Sequence, residues 1–177
     1  MSGVHISIAG LEAIARGMQA APEMARRELL AAAAEAVTLL EREAKERAPQ
    51  GASGALRDQL FSDAFSTPAG VLGVVSSPQP YAAVVELGRD PGGWVSKKGR
   101  KAIADWAVRK LKLDKDEAAQ MAQAVAWKIH HHGQDPVHFF RNALEDNQGQ
   151  ITRLFEDAAA RIAAHLAQPA PTAGGSA

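Results

Sequence analysis

Alanine supplies 37 of the 82 apolar residues in this 177-residue chain. That bias limits the fold more than any motif does. Alanine is the strongest helix former, but it buries little area, at roughly 25 cal/mol per Å². The composition predicts long helices around a modest core, with part of the stability coming from partner subunits. The length suits one domain with a short extension. Basic and acidic side chains balance at 20 each, which argues against a whole-molecule electrostatic grip on DNA or an anionic membrane and leaves only local patches. No cysteine is present, so disulfides, thiolate metal sites and a cysteine nucleophile are excluded. No apolar run approaches the ~18 residues a membrane span needs. The N-terminus lacks the pattern of a signal peptide. The expected setting is a cytosol, or something assembled there.

Along the chain, Val4, Ile6 and Ile8 alternate with His5 and Ser7, which reads as a short strand over 4–9. A short amphipathic helix with Leu11, Ile14 and Met18 follows. Pro22 suits the first turn of a long helix running to about Arg47. Leu29, Ala33, Val37, Leu40 and Ala44 form its apolar stripe, and Ala48-Pro49 stops it. Residues 56–66 and 71–77 read as a β-hairpin around Thr67-Pro68-Ala69-Gly70. Tyr81–Leu87 is a short helix ended by Gly88. After a glycine-rich basic loop over 89–101, helices are expected over about 99–112, 115–131 and 137–166, with Asp114 capping the second. The segment 168–177 has no large apolar residue and reads as a flexible tail. The fold class is therefore α+β: long helices on a small antiparallel sheet containing a hairpin, as one domain over 1–167.

Four constellations could carry chemistry. His130, His131 and His132, with His138 nearby, could chelate a metal. Imidazoles also suit the last turn of a helix, and that reading is preferred, with no metal or cofactor expected. Lys97, Lys98, Arg100, Lys101, Arg109, Lys110 and Lys112 face only Asp105 within 96–112. With Trp94 and Trp106 nearby, this segment could touch nucleic acid. Glu86 stands alone in an apolar helix, and a structural pairing with an arginine such as Arg57 is expected. Ser53 does not follow a strand as a nucleophile elbow requires, and no phosphate or dinucleotide fingerprint occurs. No enzymatic activity is expected.

The order of local signals is more telling than any one of them. Arg47-Ala48-Pro49 closes a long helix, and Ser53-Gly54-Ala55-Leu56-Arg57 follows. Next come the hairpin and Pro80-Tyr81-Ala82-Ala83-Val84-Val85-Glu86-Leu87-Gly88. Ile103–Ala107, Ala122–Ile129, Gly133 and Phe139–Leu144 complete the series. Over about residues 20–165 this resembles the tail-component family of long-tailed double-stranded DNA phages. These are neck or tail-completion proteins, similar in role to the tail-completion protein of phage lambda. Ser53 stands where the family often has Thr, Arg89 where it has Thr, and the histidine triplet where it has a Lys/Arg-rich turn.

The resemblance implies a virion structural protein. It would form a homo-oligomeric ring, complete the tail and join it to the capsid, in contact with other neck and tail proteins. It would be found in the virion and, during assembly, in the host cytoplasm. Lys97, Lys98, Arg100 and Lys101 would meet passing duplex DNA if their loop lines the lumen. The alternative is a nucleic-acid-binding module built on 97–112.

Overall fold

The structure, a computed structural model, describes residues 4–5, 23–51 and 54–166. The expected short helix with Leu11, Ile14 and Met18, and the expected tail over 168–177, lie outside the described residues. So do Pro22, Ser53 and residues 6–9 of the first expected strand. The fold is α+β and mostly helical. Its elements are β1 (Val4–His5), α1 (Glu23–Arg47), α2 (Ala55–Asp58), β2 (Phe61–Thr67), β3 (Gly70–Ser76), α3 (Ala82–Leu87), α4 (Lys97–Trp106), a π-helical turn (Ala107–Leu111), α5 (Lys115–His132) and α6 (Phe139–Leu166). The described strands form one sheet in the order β1-β3-β2, which leaves β2 at an edge among the described residues. No described helix is long and apolar enough to cross a membrane.

The described residues group into two compact units, one holding Leu40–Phe61 and Val75–Asp146, the other Glu23–Leu39, Ser62–Val74 and Asn147–Leu166. The core of the first contains Leu40, Ala44, Leu56, Leu60, Val75, Phe139 and Phe140, with Ala118, Ala122 and Ala126 as the buried stripe of α5. The core of the second contains Ala25, Leu29, Ala33, Val37, Ile151, Phe155 and Ala158. The stripe expected on α1 is buried throughout, from Leu29 to Ala44. Alanine accounts for 13 of the 24 buried apolar residues among those described. Small side chains permit close approach. In the second unit β3 runs so near α1 that a Cβ on Gly73 would lie 2.5 Å from Val37 Cγ1.

The hairpin needs a correction. Its first strand was expected over 56–66, but Ala55–Asp58 is a helical turn and the strand starts at Phe61. Leu56 and Leu60 are both buried, and a spacing of four puts two residues on one face of a helix and of a strand alike, so their pattern does not separate the two. Beyond them, Phe61, Asp63 and Phe65 are exposed on alternate positions, as a strand dictates.

The helix ends follow local rules. Asp114 Oδ1 accepts from the N–H groups of Asp116 and Glu117, and Glu117 Oε2 accepts from Asp114 N–H, a complete capping box. Asp114→Ala is expected to cost about 1 kcal/mol in urea unfolding. On α1, Glu41–Lys45 and Glu43–Arg47 pair at 2.5 Å each, and Arg47 reaches Asp146 of α6 at 2.9 Å.

Candidate functional site

Glu86 was paired with Arg57 in the sequence reading. Among the described residues no ion pair joins them. Glu86 is buried, with 6% of its surface exposed. Its carboxylate accepts from Phe140 N–H at 2.8 Å and Arg141 N–H at 3.0 Å. These belong to the first turn of α6, where N–H groups lack intrahelical acceptors and the macrodipole favours negative charge. Glu86 thus caps a helix 54 residues further along the chain. His138, which precedes α6, has φ 53, outside the extended region from which a cap residue reaches its own N–H groups. The cap has to come from elsewhere. Arg57 goes to the opposite kind of helix end. It donates to Ala48 O at 2.8 Å and Glu46 O at 2.7 Å, at the carbonyl-rich C-terminus of α1. Each charge has found a helix terminus of complementary sign, and the pair is not needed.

The segment after Glu86 is fastened to the end of α5. Arg89 and Gln134 exchange both backbone hydrogen bonds at 2.8 Å, an isolated antiparallel bridge. A glycine precedes each partner. Gly88 has φ 75 and ψ −169, and Gly133 has φ 75 and ψ −159, a region open essentially only to glycine. A Cβ on Gly88 would lie 2.6 Å from Gln134 O, and one on Gly133 would strike Arg89 O. Beyond the bridge, Gly92 N–H donates to His130 O at 2.7 Å.

That clasp delivers Trp94 onto α5. Its indole stacks on the His130 ring, with centroids 4.1 Å apart and planes 12° from parallel. Trp127 stacks on His131, one helical turn away, at 4.1 Å and 25°. The two imidazoles meet edge to face at 4.8 Å. His131 Nδ1 lies 2.9 Å from Trp127 O, which fixes its ring. His130 Nδ1 is buried and has no hydrogen-bond partner among the described residues. Both tryptophans remain exposed, Trp94 by 53% and Trp127 by 52%. His130 and His131 of the triplet thus take part in an aromatic ladder. Among the described residues no three His, Cys, Asp or Glu side chains gather as a metal site would require.

The four basic residues singled out from sequence divide into two pairs. Lys97 and Lys98 are exposed in the first turn of α4 and take part in no ion pair among the described residues. That turn holds no acidic side chain, so both cations oppose the helix dipole. Arg100 donates to Val95 O at 2.8 Å and braces the loop. Lys101 pairs with Asp105 at 2.7 Å. A cleft of about 500 Å³ beside the π-helical turn is lined by Ala104, Asp105, Val108, Arg109, Lys115 and Ala118. There Arg109 Nε bonds to Asp105 O, so these polar groups are used within their own helix.

Trp94 is coupled here to His130 and not, as expected from sequence, to Trp106, and Trp127 joins the site through its spacing of four from His131, a visible helical signal. No family model matches the chain, and neither a curated protein nor a solved structure matches it.

Proposed function

We propose that the protein is a non-enzymatic structural component of a phage neck or tail end. In this reading copies assemble side by side into a ring that completes the tail and joins it to the capsid. The ordered motifs from Arg47-Ala48-Pro49 to Phe139–Leu144 support the phage assignment. The observation that carries the assembly claim is large apolar surface left outside: Phe61 and Phe65 of the edge strand β2 are exposed by 50% and 42%. Rings need heterologous contacts between unlike patches of identical subunits. An aromatic-bearing edge strand suits one half of such a contact. The occupant is a second copy of this chain, because a formal net charge of zero removes the repulsion that would keep copies apart. In a ring with the first turn of α4 turned inward, in place of the loop expected over 89–101, passing duplex phosphates would meet Lys97 and Lys98 first.

The test is light scattering behind a sizing column, over a concentration series. The wild-type chain is expected to exceed its monomer mass of 18.7 kDa, while Phe61→Ser/Phe65→Ser stays at that mass with unchanged helical circular dichroism. Identical assembly of the double variant would remove the β2 contact. A wild-type monomer at every concentration would remove the ring.

A further inference from the structure

Ring assembly leaves the aromatic ladder unexplained. Two tryptophans are held half out of the surface of a protein whose cores are filled largely by alanine. The two stacks meet through His130 and His131, so the exposed rings form one patch, and a contiguous exposed apolar patch marks an interaction site. Each indole has one face set against an imidazole. The Trp94 loop is bolted down by the Arg89–Gln134 bridge and by Gly92 N–H on His130 O. The rings are therefore presented rigidly, which lowers the ordering cost of binding a planar partner.

We infer that the Trp94–His130 and Trp127–His131 stacks form a base-stacking platform for single-stranded nucleic acid, with Lys97, Lys98 and Lys128 meeting its phosphates. Indole faces take any base, because every base has a π-face. Duplex bases are already stacked on one another and offer no such face, so the platform selects unpaired strands. The charge around the ladder has the required sign. Lys97 and Lys98 begin three residues after Trp94, and exposed Lys128 adjoins Trp127. Asp90 and Asp135 are the carboxylates in the two segments joined by the bridge, so cations prevail locally on a neutral chain. Lys97 and Lys98 also oppose the α4 dipole, an arrangement that a bound phosphate would relieve.

The experiment uses the full chain in low salt with a fluorescein-labelled twelve-residue oligothymidylate, read by anisotropy and by quenching of tryptophan emission. A duplex of equal length and polyglutamate serve as comparators. The single strand is expected to bind more tightly than either. Trp94→Ala and Trp127→Ala are each expected to weaken it about tenfold, whereas Trp94→Phe, which keeps a ring face, loses less. Lys97→Glu/Lys98→Glu is expected to weaken binding and flatten its salt dependence. Equal binding of duplex or polyglutamate would overturn the inference, as would affinity indifferent to both tryptophans. So would a changed oligomer mass in Trp94→Ala or Trp127→Ala with oligonucleotide affinity intact, since the ladder would then be a protein contact. The masses of the same variants report on the ring separately, so a ring without oligonucleotide binding overturns this inference alone.

Discussion

Glu86→Ala is expected to cost about 3 kcal/mol or more in urea unfolding. The carboxylate is buried and makes two charge-assisted bonds, to Phe140 N–H and Arg141 N–H. Such bonds contribute about 1.5–3 kcal/mol each. Removal leaves the first turn of α6 with N–H groups unmet beside Phe139, one of the largest fully buried side chains. Glu86→Gln is expected to cost about 2 kcal/mol. Its single amide oxygen can accept only one of the two bonds at full geometry, and its NH₂ would face a donor. The charge that favours the helix N-terminus is lost as well. A local cap cannot compensate, because His138 is held at φ 53. Against a total stability of order 5–15 kcal/mol, either loss is large. Unchanged unfolding midpoints in both variants would show that α6 is not capped through Glu86.

Gly133→Ala is expected to cost about 3 kcal/mol or more and to undo the ladder with it. The backbone conformation alone is worth about 1–3 kcal/mol against any residue with a Cβ. The new methyl would also collide with Arg89 O, a backbone atom that forms the bridge and cannot rotate away. Gly88→Ala is the mirror experiment, since its methyl would strike Gln134 O. Both changes push the loop off α5. Trp94 should leave His130, and its emission should shift toward that of free indole in water. A loss under about 1 kcal/mol with an unaltered emission spectrum would mean that the clasp tolerates a side chain and does not hold the ladder.

These two sites show what sequence can and cannot disclose. Local periodicity was legible: the α1 stripe from Leu29 to Ala44 is buried as its spacing requires, and Asp114 caps α5. Glu86 was visible as an anomaly, a carboxylate among valines and leucine. Its partner was not, because the acceptor's targets are backbone N–H groups 54 and 55 residues away. Backbone donors carry no side-chain identity that a reader could match. The same holds for Arg57, whose targets are carbonyls. Half of the ladder was readable, since Trp127 and His131 lie one turn apart. The other half depends on a bridge between Arg89 and Gln134 that no pattern announces. The hairpin start was misplaced because the spacing of four between Leu56 and Leu60 suits one face of a helix and of a strand equally.

The central claim is that this chain closes into a ring. Native mass spectrometry of the full chain, over a range of protein concentrations, tests it most directly. A single multiple of the 18.7 kDa subunit is expected to gain population with concentration, because heterologous contacts that close satisfy every subunit at one number. Monomer alone at every concentration would contradict it, and so would an open-ended ladder of sizes with no favoured member.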